Sequence, residues 1–554
     1  MLVAIMRRRW AGPLAAALLI LALAATAAVA APAAKNVIML IPDGCGAEQY
    51  ALARWVKGAP LAFDHILTGA IRTHIADSVI ADSAPAGTAL ATGTRTGNKI
   101  VGLSPKAKGL LPGQPDPGPE ALRPRASVLE AARLMGKSTG LVATATITDA
   151  TPADFIAHVP RRKLEPEIAK QMVHAAPEVI MGGGRHFFLP KNAGGKRTDG
   201  LDLLALLAQK GYQLPRDRDE LARVKKGPVA GLFADDFMAP ERDRPHLAPA
   251  QPSLAQMTAK AIEILSQNER GFFLMVEASL VDWACHNNDP GHLVGDLLAY
   301  DQAVQIALDF AKKDGQTLVV AVSDHNTGGM SIGNRSTDNT YTSTKLEALL
   351  APIAQMRLST MAIWNAMGDR PNKQALRALI KKWWGMDLSD DEARQIMAIA
   401  AAYPKLPQYG VGRVLSATRT VIGWSTHGHT GGDVPLFAFG PGRPTGLLDE
   451  PEVAHAVARA MGADLRQLDQ RLFAEAATAL TWATLAERLT PRGWLLEARI
   501  NGRLAQLEAG GNILRLDGEE LILEGVVVRV EDTGKWYLPQ KAATLIMAPP
   551  ARQD

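Results

Sequence analysis

Along the chain, short apolar runs rich in Val, Ile, Leu and Phe recur without the alternating polarity of a half-exposed strand, and helical patterns separate them. The clearest are "NVIMLI" (Asn36 to Ile41), "TGLVATA" (Thr139 to Ala145), "GFFLMVEA" (Gly271 to Ala278), "TLVVAVS" (Thr317 to Ser323) and "VPLFAFG" (Val434 to Gly440). Runs of this kind read as strands buried on both faces of a parallel sheet. The pattern predicts an α/β fold, a three-layer sandwich with a mostly parallel central sheet. Most of the runs lead into a polar or Gly-rich turn, which is where open α/β sheets place their ligands.

Two stretches depart from this rhythm. Residues 343–404, with "ALRALIKKWWGM" and "SDDEARQIMAIAAAY", read as a helical insertion over or beside the site. Residues 490–554 carry short alternating runs broken at Asn501-Gly502, Asp517-Gly518 and Thr533-Gly534. The Asn-Gly and Asp-Gly pairs are hairpin signals, so this end reads as a small β-rich module. Residues 31–489 between the leader and that module form the expected catalytic domain.

Composition narrows the function classes. The 554 residues carry 60 Lys and Arg against 56 Asp and Glu, a net charge of +4, with no basic block that would point to nucleic acid. Residues 1–30 have a positive start, an apolar stretch from near Leu14 and small residues Ala28, Val29 and Ala30 at the exit. This reads as a signal peptide, not a stable membrane anchor, and predicts a periplasmic or secreted protein. Arg7, Arg8 and Arg9 leave a twin-arginine route open. Two cysteines, Cys45 and Cys285, do not make a disulfide framework, although a bridge between them is one reading and two separate buried thiols the other.

The candidate chemistry lies after the strands. In "ADSAPAGTALATG", Ser83 follows a carboxylate and heads a run of tiny residues. At a helix start it is either a capping residue or a hydroxyl activated beside free N–H groups and the positive dipole end. Asp43 stands two residues past the first apolar run. In "VEASLVDWACHNND", Glu277 leaves a strand, and Asp282 and His286 are spaced i to i+4, one helix face within reach of one divalent ion. "VSDHNTGG" offers Asp324 and His325, and "WSTHGHTGGDV" offers His427 and His429. Mixed His and Asp donors without thiolate suit catalytic zinc with open positions. Asp149 and Thr151 in "TDATPADFIAHVPRRK" suit a harder ion such as magnesium, and Arg161 or Arg162 offers two parallel donors to a phosphoryl group.

With these pieces in order, "NVIMLIPDGCG", "DSAPAGTALATG", "TDATPADFIAHV", "VEASLVDWACH", "SDHNTGG" and "THGHTGGDV" make the chain resemble the alkaline phosphatase family. The resemblance implies hydrolysis of phosphate monoesters, with release of inorganic phosphate, at a site of two zinc ions and one magnesium ion. It implies Ser83 as nucleophile and a phosphoserine intermediate. One zinc would be held by Asp282, His286 and His429, and the second by Asp43, Asp324 and His325 with Ser83 as its reactive ligand. The magnesium would be held by Asp43, Thr151 and Glu277, with Asp149 acting through water. Arg162, rather than its neighbour Arg161, would hold two phosphoryl oxygens, and His427 is left outside the ligand set. A homodimer is common in the family. Pro42 and Cys45 depart from the family's usual residues, as does Trp283, which stands where some members carry Lys or His.

Two other readings belong beside this one. A related phosphodiesterase or sulfatase-like hydrolase would use the same metal scaffold, but "DSAPAG" has neither the Thr nucleophile nor the sulfatase-type Cys that would favour it. A secreted binding protein with a vestigial metal site would not need the full set of donors. Small phosphorylated molecules are the expected partners.

Overall fold

The computed structural model describes residues 34–112, 114 and 116–549, so the expected leader at residues 1–30 lies outside it. Among the described residues, nine strands form one sheet: β1 (Asn36–Pro42), β2 (Leu67–Arg72), β3 (Ser138–Thr146), β4 (Val179–Gly183), β5 (Val229–Leu232), β6 (Phe272–Ala278), β7 (Thr317–Val322), β8 (Val434–Phe439) and β9 (Gly446–Asp449). Their order across the sheet is β9-β2-β8-β7-β1-β6-β3-β4-β5. Strands β7, β1, β6, β3, β4 and β5 pair in parallel, whereas β8 runs antiparallel to both β7 and β2. The run "VPLFAFG" is therefore not one of the parallel strands, though the sheet is mostly parallel as expected.

Burial on both faces explains the unbroken apolar runs. In β1, Val37, Met39 and Ile41 join the core cluster on one face, while Ile38 and Leu40 join the cluster on the other. All five are fully buried, each contributing about 1.5–3 kcal/mol of transfer free energy. The first cluster receives the helices α1 (Ser83–Thr92) and α11 (Glu450–Met461); the second receives α5 (Pro290–Asp314). Helices on both sides of one sheet make the three layers.

Three further helices carry site residues: α2 (Ala150–Asp154), α3 (Glu165–Ala175) and α4 (Leu280–His286). The helical stretch after Ser343 contains α6 (Leu346–Gln355), α7 (Thr360–Asn365), α8 (Lys373–Trp384) and α9 (Asp390–Ala402). It continues past Pro404 into α10 (Tyr409–Arg419), whose Val411, Val414 and Leu415 share a core cluster with Ile380, Trp384 and Ile396. Toward the end of the chain lies a five-stranded antiparallel meander, β10 (Thr484–Thr490), β11 (Gly493–Ile500), β12 (Arg503–Glu508), β13 (Ile513–Leu516) and β14 (Glu519–Ile522), followed by two short strands and a helix over Gln540–Met547. Asn501 and Asp517 have φ values of 51° and 56° ahead of Gly502 and Gly518, the left-handed geometry those dipeptides signal. Cys45 and Cys285 are free and buried. No helix among the described residues is long and apolar enough to cross a membrane.

Candidate active site

The carboxyl ends of the parallel strands gather the polar residues, and the backbone there is shaped to let them approach. Asp43 follows β1, and Gly44 beside it has φ +66°, with its Cα so close to Asp282 that a Cβ would lie 2.5 Å from Asp282 Oδ1. Only glycine combines that conformation with that approach. The Gly44 N–H donates to Asp324 Oδ1 at 3.1 Å, so this turn also orients a second carboxylate just past β7.

Ser83 is the first residue of α1, and the capping position belongs to Asp82, whose side chain makes no cap hydrogen bond. The Ser83 hydroxyl is thus not spent on capping. It lies 3.2 Å from His325 Nε2 and is 3% exposed. The same imidazole nitrogen is 3.4 Å from Asp43 Oδ1 and 3.4 Å from Asp324 Oδ2.

On α4 the i to i+4 spacing brings His286 Nε2 to 3.1 Å from Asp282 Oδ2, and His429 Nε2 lies 3.1 Å from His286 Nε2. A two-residue antiparallel ladder pairs His429 with Thr327, whose hydroxyl donates to Asp282 Oδ1 at 2.5 Å. His429 Nδ1 is fixed 2.7 Å from the Ala81 carbonyl. Donor atoms of Asp282, His286 and His429 lie within 4.8 Å of one another, as do those of Asp43, Asp282 and His325. Asp282 therefore borders both groups.

His427 faces away from these donors. Its Nδ1 lies 2.7 Å from the His286 carbonyl, and its own carbonyl accepts from His286 Nδ1. Its ring stacks on Tyr409 at 4.1 Å between centroids.

Arg162 lines the cavity, while Arg161 turns outward to Glu531 and Asp532. Arg162 donates at 2.8 Å to Asp82 Oδ1 and at 2.8 Å to Asp149 Oδ1. Asp149 caps α2, accepting from the Ala150 N–H, and Thr151 in that helix is buried beside Glu277.

The electrostatics show what the donor set lacks. Burial pushes Glu277 up to about 8, with the Asp149 charge adding to the effect. Burial raises Asp324 to about 6 and Asp43 well above the carboxylate range, the latter helped by the Asp324 and Asp282 charges. Burial opposes the ionised form of Asp282 too, yet the His286 and His429 charges hold it well below the usual range. His286 in turn is pushed up to about 9, its burial outweighed by Asp282. Too many buried carboxylates share too few cations. Asp43 Oδ1, Asp324 Oδ2, Glu277 Oε2 and Thr151 Oγ1 are buried without a hydrogen-bond partner, although nearly all such atoms in proteins have one. A mixed imidazole and carboxylate cluster fits Zn²⁺, and the all-oxygen group of Asp43, Thr151 and Glu277 fits Mg²⁺.

A cavity of about 540 Å³ opens over these groups. It is lined also by residues that the sequence reading did not single out: Glu165, Phe237, Leu406, Gln408 and Tyr409. Burial raises Glu165 to about 7, where it accepts from the Thr146 and Thr148 hydroxyls. No motif marks these positions, because their distance along the chain hides a proximity that only the fold creates.

The alkaline phosphatase family model matches residues 34–463. Alkaline phosphatase 4 of Bacillus subtilis is 35% identical over 443 residues, 76% of this chain and 88% of that protein. The structure of Thermus thermophilus alkaline phosphatase superposes with a TM-score of 0.69 at 31% identity, covering 78% of this chain and 92% of that one. A variant of alkaline phosphatase from the Antarctic bacterium TAB5, with magnesium bound in its M3 site, is 27% identical with a TM-score of 0.54 and covers 78% of this chain and 99% of that one.

Proposed function

The chain belongs to the alkaline phosphatase family of metal-dependent phosphomonoesterases, and on that premise we propose that it hydrolyses phosphate monoesters through a phosphoserine at Ser83. The observation that carries this reading is the position of the Ser83 hydroxyl. It heads α1 uncommitted to capping, 3.2 Å from His325 Nε2, with Arg162 across the same cavity.

One zinc ion would be held by Asp282, His286 and His429, and a second by Asp43, Asp324 and His325 with Ser83. Magnesium would be held by Asp43, Thr151 and Glu277, with Asp149 acting through water. The orphaned oxygens and the excess of buried carboxylates support that assignment. Such cations lower the pKa of oxygens they bind and offset charge on the attacking and leaving oxygens of an in-line displacement.

The chain's own residues do the rest. Arg162 holds two phosphoryl oxygens and orients phosphorus toward Ser83. The Ser83 alkoxide forms an Oγ–P bond while the ester P–O bond breaks, and the departing alkoxide takes a proton from water. The hydroxide left by that proton transfer attacks the phosphoserine, the Oγ–P bond breaks to return the Ser83 alkoxide, and inorganic phosphate leaves as the monohydrogen dianion. The N-terminal N–H groups of α1 lie beside the Ser83 oxygen, which carries negative charge before the first displacement and regains it in the second. An arginine set to hold non-bridging oxygens favours monoesters, which carry one more charged oxygen than diesters. The leader pattern of residues 1–30 makes export to the periplasm or medium part of this proposal.

Hydrolysis of p-nitrophenyl phosphate beside bis-p-nitrophenyl phosphate by the metal-loaded protein tests the reading. The monoester is preferred, and Ser83→Ala loses at least about a thousandfold in kcat, as removal of a nucleophile does. Preference for the diester, or near-normal turnover by Ser83→Ala, overturns it.

A further inference from the structure

The cavity above Ser83 has two unlike walls. One carries Asp82, Arg162 and Lys163, a charged surface suited to a phosphoryl group. The other is aromatic. Phe237 and Trp283 are half-buried, with ring centroids 4.8 Å apart and planes tilted by 42°. Tyr409 lines the same cavity and is backed by the ring of His427, which leaves it little freedom to turn.

These aromatics belong to one continuous side of the site. Trp283 is on α4, next to Asp282 and one turn before Asn287, and Asn287 Oδ1 accepts from Gln408 Nε2 at 3.2 Å beside Tyr409. Phe237 comes from the loop after β5, and Tyr409 from the start of α10. An in-line displacement sends the leaving oxygen away from Ser83. On the reading above, that direction is toward Asp282 and His286, the α4 side of the cavity. The group attached to that oxygen is then presented to Trp283, Phe237 and Tyr409.

We infer that this wall is a leaving-group subsite that stacks the base of a nucleoside monophosphate. The inference rests on the phosphomonoesterase reading and adds its substrate class. A flat π-system gains from aromatic faces without needing a particular hydrogen-bond pattern. The polar atoms on the same wall favour a nucleoside over a plain hydrocarbon ring: Asp236 is exposed there, and Gln408, its amide nitrogen held by Asn287, lines the cavity with its amide oxygen as an acceptor. Both can meet the amino and hydroxyl groups of a nucleoside. The volume of about 540 Å³ falls within the roughly 300–1,000 Å³ usual for small-molecule sites.

The test compares adenosine 5′-monophosphate with glycerol 3-phosphate on the zinc- and magnesium-loaded full chain. Both leaving groups are primary alcohols, so their intrinsic reactivities are close, and the ratio of kcat/KM values reads recognition beyond the phosphoryl group. The wild type prefers the nucleotide, and Phe237→Ala lowers the ratio of the two kcat/KM values about tenfold. Phe237→Tyr keeps the wild-type ratio. Adenosine inhibits glycerol 3-phosphate hydrolysis competitively, and less so in Phe237→Ala. Equal kcat/KM for the two substrates, or a ratio unmoved by Phe237→Ala, overturns the subsite while leaving the phosphatase reading intact. Failure of the wild type to hydrolyse either substrate overturns both.

Discussion

Arg162 Nη2 donates to Asp149 Oδ1 across 2.8 Å, which fixes the guanidinium before any substrate arrives. Its other terminal nitrogen is held by Asp82, the residue before Ser83, so the arginine is tied to the same helix start as the nucleophile. A phosphoryl group must compete with these carboxylates for the same donors. Two charge-assisted bonds are worth about 1.5–3 kcal/mol each, so Arg162→Ala lowers kcat/KM by about two to four decades. Arg162→Lys recovers only part of this, because a point charge cannot reproduce the fork. Steady-state kinetics with p-nitrophenyl phosphate measures both.

Removal of metal has two consequences. Exhaustive chelation abolishes hydrolysis, and Zn²⁺ with Mg²⁺ restores it. The buried carboxylates of Asp43, Asp324 and Glu277 are left with partnerless oxygens, so the stripped protein is also less stable. At free metal about a thousand times Kd the stabilisation is about 4 kcal/mol per site. A thermal melt of stripped and reloaded protein reads it directly, and equal midpoints contradict the donor assignment.

Glycine is required at position 87. A Cβ there would lie 2.2 Å from Asp154 Oδ2, and that carboxylate is fully buried and anchored by the Thr88 hydroxyl at 2.7 Å. Gly87→Ala therefore forces α1 away from α2, at about 1–3 kcal/mol. Because α1 carries Ser83, kcat falls along with the melting temperature. Unchanged kcat would show that the helix absorbs the methyl without moving the hydroxyl.

An ion pair sets the pose of the cavity's outer wall. Arg419 donates to Glu392 at 2.6 and 2.5 Å, joining α9 to α10, and the loop between them delivers Leu406 and Gln408. The Arg419 guanidinium lowers Glu392 from its ordinary 4.5 to about 2. A folded-state value below the unfolded one gives stability that is complete above pH 4.5 and is lost as the pH falls through 2. Glu392→Gln loses about 2 kcal/mol at pH 7 and melts with a shallower acid dependence between pH 4.5 and 2. Thermal unfolding across that window checks the sign.

The terminal β sheet is tied into the body. Lys170 in α3 is 2% exposed, and its ammonium donates to Glu508 of β12 at 2.8 Å and to the Arg492 carbonyl at 3.0 Å. Glu508→Ala leaves a buried cation with one partner and costs about 3 kcal/mol. A drop of less than about 0.5 kcal/mol in chemical denaturation would mean that this contact is solvated.

The strands that the sequence revealed are those buried on both faces, because only there does the apolar run go unbroken. β2 does not stand out in the sequence: "LTGAIR" is half-exposed along most of its length although it is paired on both sides, and a short strand with that pattern resembles a loop. β9 is four residues long and carries one acid. α10 is hidden in the sequence because Pro404 and Pro407 end one helix and two glycines weaken the next, yet its apolar face is buried against α9. The proposed ligands were legible because each follows a strand or sits at helical spacing from another. Asp82, Thr327, Phe237 and Tyr409 were not: they act through contacts with Arg162, Asp282, Trp283 and His427, and no local pattern encodes contacts between distant segments.

The stereochemical course at phosphorus tests the central claim most directly. A monoester made chiral with sulfur and oxygen isotopes is hydrolysed by the metal-loaded enzyme, and the configuration of the released thiophosphate is read. Two in-line displacements, first by Ser83 and then by water, predict net retention. Inversion would mean that water attacks the substrate directly, and would contradict a phosphoserine intermediate.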